Sequence, residues 1–149
     1  MTTQQTEVVE QEIRVAASPE AIFPYFTDPE KMLRWKGVAA ELDPKPGGIY
    51  RVDMGQDVAR GEYVSIEPYK RLVFTWGWES EGNPVPPGSS TVEVTLTPDG
   101  ADTVVKLRHS GLPVDARKLH GEGWVYFMSR LIDAAEGREP SEVRFGEGH

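Results

Sequence analysis

The spacing of apolar residues changes period twice along the chain. From Val8 to Val15 apolar and polar residues alternate loosely, which predicts a first strand, because successive strand side chains point to opposite faces. Ser18-Pro19 and Asp28-Pro29 then each set a capping side chain before a proline at the first helical position, where the missing N–H costs nothing. They predict two short helices. Between Val38 and Ser110 the period falls to two, and turn residues become dense at Pro46-Gly47-Gly48, Gly55-Gln56-Asp57, Pro68-Tyr69-Lys70 and Pro98-Asp99-Gly100. Six further strands are expected near 38–43, 48–54, 58–67, 70–78, 90–97 and 103–110. Glu79 to Ser89 is rich in Pro and Gly and reads as a loop, long enough to form a rim or lid.

The last element has a different period. No proline interrupts Ala116 to about Glu136, and Trp124, Phe127, Met128, Leu131 and Ala135 fall on one helical stripe. A helix roughly 30 Å long is predicted, at 1.5 Å per residue, with Gly137 and Pro140 as its stop. Such a stripe must be buried, and the concave face of the antiparallel sheet is its natural partner. The fold class is therefore α+β. Residues 1–8 are expected to be a flexible N-terminus, 9–136 a single domain and 137–149 a polar C-terminal tail.

Alternation also sorts side chains. In the strand from Arg71 to Trp78, Leu72, Phe74, Trp76 and Trp78 share the face that meets the helix. Tyr50, Val52 and Met54 face inward by the same rule, as do Val92, Val94 and Leu96, and Val105, Leu107 and His109. His120 lies one turn before Trp124 on the helical stripe, so both imidazoles are expected toward one end of the interior. Alternation would turn Glu62 inward beside Val64 and Ile66. Trp124 is expected in the core, with Gly123 beside it at a close approach of helix to sheet. The indole N–H groups of Trp76 and Trp78 need acceptors once buried, which a polar ligand atom or water would supply.

Composition narrows the chemistry. The 149 residues carry a formal net charge of −8 and no cysteine. That excludes disulfides, thiol nucleophiles and Cys-ligated metals, and it disfavours nucleic acid and anionic lipid surfaces as partners. No apolar run approaches the ~20 residues of a membrane span, and the N-terminus lacks a secretory signal pattern, so a cytoplasmic location is expected. A catalytic zinc needs three protein ligands. With His109, His120 and at most Glu62 available, and HGEGW lacking the second His of HExxH, no metal is assigned. No GxGxxG turn or Walker A sequence supports a nucleotide, and no cofactor is expected.

Six stretches in order carry a family resemblance: VAASPEAIF (15–23), FTDPEKMLRW (26–35), PGGIYR (46–51), GEYVSIEPYKRLVFTW (61–76), TVVKLRHSGL (103–112) and HGEGW (120–124). The chain is similar to the START-like (SRPBCC) helix-grip superfamily, in the branch resembling the C-terminal domain of the activator of the heat-shock-protein-90 ATPase. Lys36 follows Trp35 where many relatives carry a second Trp, and Phe23 replaces the commoner Trp of the first helix. The resemblance implies a curved seven-stranded antiparallel sheet gripping the long C-terminal helix, two short helices after the first strand, and an apolar cavity between sheet and helix. A link to stress response follows from the same branch.

The function expected from these readings is binding of a small apolar, aromatic or lipid-like ligand. Its cavity would be lined by Trp35, Tyr50, Phe74, Trp76, Trp78, His109, His120, Trp124, Phe127, Met128 and Leu131. The alternative is a cyclase-, dehydratase- or hydrolase-type enzyme with His109 as general acid or base, followed as candidates by Tyr50, Glu62 and His120. A second alternative is a co-chaperone-like interaction module with a chaperone partner. The state expected is a monomer or homodimer.

Overall fold

Both helix starts cap as their residues predict. Ser18 Oγ accepts from the Ala21 N–H at 3.2 Å, and Asp28 Oδ1 accepts from the Glu30 N–H at 3.1 Å. The computed structural model describes residues 8–139; the expected flexible N-terminus and polar tail lie almost wholly outside the described residues. The element order is β1 (Val8–Val15), α1 (Pro19–Ile22), a 3-10 turn (Phe23–Phe26), α2 (Pro29–Met32), β2 (Ala39–Leu42), β3 (Ile49–Asp53), β4 (Val58–Glu67), β5 (Arg71–Trp76), β6 (Ser90–Asp99), β7 (Asp102–Ser110) and α3 (Val114–Ala135).

The strands form one seven-stranded sheet in the order β1-β7-β6-β5-β4-β3-β2, antiparallel at every pair. Consecutive strands from β2 to β7 are neighbours, whereas β1 joins the far edge beside β7. The segment with α1 and α2 therefore carries the chain across the sheet from one edge to the other. The expected α+β helix-grip architecture is the observed one.

Helix α3 begins two residues before the expected Ala116, directly after Pro113, without a side-chain cap. It ends where Gly137 permits. With φ +86°, Gly137 donates its N–H to Ala134 O at 3.1 Å, and Arg138 N–H reaches Asp133 O at 2.7 Å. These bonds satisfy carbonyls that the last turn leaves open. Trp124, Phe127, Met128, Leu131 and Ala134 are buried along the face turned to the sheet. The helix backbone comes nearest to β1. Large side chains span the remaining distance to the middle strands.

Two expectations require correction. Glu62 and Val64 are exposed, and Tyr63 is fully buried in their place. A register irregularity in β4 between Tyr63 and Ser65 accounts for this, since an extra residue breaks the period of two beyond it. Gly123 does not mark a close approach, because a Cβ there would meet open space within 4 Å. The expected loop from Glu79 to Ser89 is observed, held by hydrogen bonds. Val85 is fully buried, its carbonyl accepts the Trp78 N–H at 2.7 Å, and the Asp57 carboxylate accepts from the Ser80 N–H at 3.1 Å and hydroxyl at 2.6 Å.

Candidate functional site: the aromatic interior between sheet and helix

Strand β5, strand β7 and helix α3 each contribute an inward aromatic or imidazole group, and these meet in one cluster. The Trp76 ring lies edge-on to Trp78, His109 and His120, with centroids 4.7, 4.9 and 5.3 Å away. Trp124 is 6.4 Å from Trp76, and the two imidazoles are 5.9 Å apart. Trp78 lies beyond the end of β5, half-buried, in an isolated bridge to Ala59. Tyr50 stacks on Phe74 at 4.1 Å in the adjoining part of the core, and Tyr63 meets Tyr50 edge-on at 5.8 Å.

Both histidines are held by indole donors. Trp124 Nε1–H donates to His109 Nδ1 at 3.0 Å, which leaves the proton of the neutral ring on Nε2. Nε2–H then donates to Ser90 Oγ at 2.8 Å, and the Ser90 hydroxyl donates to the Trp76 carbonyl at 2.7 Å. The second pair is built in parallel. Trp78 Nε1–H donates to His120 Nε2 at 2.9 Å, and His120 Nδ1–H donates to the Ala116 carbonyl at 2.8 Å. Burial, with the neighbouring His120 and Lys36 charges, pushes His109 down to about 3. Burial also lowers His120, opposed by its bond to Ala116.

This arrangement bears directly on proton transfer. Neither ring nitrogen of His109 has a free site, and protonating Nδ1 would set two N–H groups against each other. General acid or base chemistry at neutral pH has no support in that geometry. Tyr50 is fully buried and its hydroxyl is raised well above the ordinary tyrosine range by burial. Glu62, on the exposed side of β4, is not part of the interior. Among the described residues, no group of three or more His, Cys, Asp and Glu side chains gathers where a metal ion would need them.

Two functional candidates were not singled out by sequence pattern. Lys36, one residue after Trp35, is 2% exposed. Its Nζ lies 4.2 Å from the Trp124 ring centroid, 5.7 Å from Trp76 and 5.8 Å from Trp35. Its one hydrogen bond is a long one, 3.4 Å to the Tyr50 hydroxyl. Burial alone lowers this amine to about 7. The signal was present: Met32, Trp35 and Lys36 stand at i, i+3 and i+4, one face of a helical turn. Arg130 on α3 is also buried. Its Nε donates to the Trp35 carbonyl at 3.0 Å, and one terminal nitrogen lacks a hydrogen-bond partner.

The other expected lining residues fall in the same interior. Trp35 is buried and donates its indole N–H to the Tyr25 carbonyl at 2.9 Å. Phe127, Met128 and Leu131 are buried on α3. Trp76 differs from the other three tryptophans, because its indole nitrogen is buried with no hydrogen-bond partner. On the opposite face of the sheet, Arg71, Val73, Thr91, Glu93, Arg108 and Ser110 line a concavity of about 220 Å³, with Arg71 in an ion pair to Glu93 at 2.6 Å.

An open seven-stranded antiparallel sheet packed on a C-terminal helix, with two short helices after β1, defines the START-like (SRPBCC) helix-grip class. Within it the chain belongs to the family described as Activator of Hsp90 ATPase homolog 1-like protein, which residues 16–136 match. A solution structure of an AHSA1-like protein from Rhizobium etli is 42% identical, with a TM-score of 0.72 over 95% of this chain and 92% of that one. DynU16, a protein in the dynemicin biosynthetic locus, is 28% identical, with a TM-score of 0.79 over 92% of this chain and 50% of that one. An uncharacterized protein of Schizosaccharomyces pombe is 29% identical over 100 residues, 66% of this chain and 28% of that protein. The chain thus spans half of DynU16 and less than a third of the yeast relative. Among the described residues, no helix is long and apolar enough to cross a membrane.

Proposed function

We propose that the protein binds a small aromatic or apolar molecule in the interior between the sheet and α3. The observation that carries this reading is the Trp76 indole N–H, which is buried among aromatic rings and has no acceptor. A buried donor left unpaired costs about 1–3 kcal/mol. A ligand oxygen would recover that cost. The neighbouring indoles already have protein acceptors, so the incomplete position is specific to Trp76.

Thermal unfolding with a series of uncharged aromatic carbonyl compounds, 2-naphthamide among them, tests this. Ligand at one hundred times its dissociation constant adds ~2.7 kcal/mol of stability. A raised melting temperature in the wild type, reduced in Trp76→Phe, is the expected result. An unchanged melting temperature across the series refutes the reading.

Chaperone activation is the second reading, supported by membership of a family described by its Hsp90 activator. Stimulation of an Hsp90 ATPase by the full chain would favour it over ligand binding.

A further inference from the structure

We propose that the ligand's polar end is an anion, an aromatic carboxylate, docked on Lys36 with the Trp76 N–H as a second donor. The inference deepens the binding reading above and rests on it. Its ground is the sign of the buried charge. The whole chain has eight more acidic than basic groups, yet the charged side chains among the buried described residues are two cations, Lys36 and Arg130. No Asp or Glu joins them there. Proteins pair buried charges or neutralise them, because an isolated ion loses its hydration without return.

The donors around this point lack acceptors. Lys36 Nζ has three N–H bonds to place and a single long contact, to Tyr50. The rings of Trp124, Trp76 and Trp35 offer the ammonium their electron-rich faces but no lone pair. Trp76 Nε1 and one terminal nitrogen of Arg130 are without partners, and Arg130 is bonded to the carbonyl of the residue preceding Lys36. A carboxylate supplies both the missing charge and several acceptor sites, and an aromatic body suits the indole walls.

Proton linkage makes the idea sharp. The titratable groups facing Lys36 are Tyr50 on β3, His109 on β7 and His120 on α3, while the cation Arg130 on α3 binds the carbonyl of the residue before it. Both imidazoles are held neutral by burial and by their indole donors, and Tyr50 stays protonated. Lys36, lowered to about 7, is the member that titrates near neutrality. An anion binds its charged form, so above that range each binding event must take up a proton, and affinity falls about tenfold per pH unit.

The test is calorimetry of the full chain with 2-naphthoate and its uncharged shape match 2-naphthamide, at about pH 6 and about pH 8.5, in two buffers of different ionisation enthalpy. The expected result is naphthoate binding at least about tenfold tighter at the lower pH, a preference that shrinks at least about tenfold at the higher, and uptake of more than about half a proton there. Lys36→Met, checked as folded by its urea transition, should lose both the preference and its pH dependence. Equal affinities at about pH 6, or a preference surviving Lys36→Met, overturns the anion site while ligand binding stands. Binding of neither compound overturns both.

Discussion

Trp124 donates its indole N–H to His109 Nδ1 across 3.0 Å, so a residue of the long helix decides which nitrogen of a strand residue carries the proton. The bond links α3 to β7 at the level of β6, through Ser90 on the ring's other side. It turns an inward histidine, which sequence alone would offer as an acid or base, into a neutral connector between helix and sheet.

That neutrality predicts acid sensitivity. His109 is held at about 3 in the folded protein against the ordinary 6.5, so below 6.5 the unfolded chain binds a proton that the native ring refuses. Its contribution is present above 6.5 and is lost as pH falls toward 3, on the order of 1 kcal/mol per pH unit. Urea unfolding at pH 7 and pH 5 should show wild type losing more stability on acidification than His109→Gln. Equal losses would show that the ring already accepts a proton in the native state.

Lys36 has the opposite dependence. Its folded value near 7 lies below the ordinary 10.5, so the native state carries a penalty that is full below about 7 and shrinks as pH rises toward 10.5. Lys36→Met keeps much of the volume and removes the charge, so it should stabilise the free protein by a few kcal/mol at pH 7. The gap should narrow at pH 9.5. A destabilised variant at pH 7 would mean that the ammonium gains more from the three indoles than burial takes away.

Gly61 is a packing requirement of the β4–β5 pair. A Cβ at this position would overlap the Thr75 carbonyl oxygen, and β-sheet backbone cannot yield as a flexible side chain does. Gly61→Ala should cost at least about 2 kcal/mol in chemical denaturation. A change below about half of that would show that the two strands separate easily at this level.

Much of the fold was legible because its signals are local. Ser18 and Asp28 cap the helices they precede, and the alternation from Leu72 to Trp76 matches the buried face. The candidate site was legible only in part. Trp76, His109, His120 and Trp124 do converge, as their faces required. Glu62 misled, because a bulge changes phase without a sequence mark as clear as proline or glycine. Lys36 was passed over although Met32 and Trp35 share its face, since lysine is almost never fully buried without a partner.

By itself the sequence determined the element types, the inward faces of β3, β5, β6 and β7, and the absence of thiol chemistry. These follow from backbone sterics and side-chain period, which act within a few residues. Which donor meets which acceptor in the interior was decided by the tertiary structure alone. Trp124 meets His109 and Trp78 meets His120 because β5, β7 and α3 converge on one end of the interior, and hydrogen bonds depend on tenths of an ångström. The same convergence leaves Lys36 among three indoles and Trp76 without an acceptor. Composition records the lysine and the tryptophan, but only packing determines whether water or an acceptor is in reach.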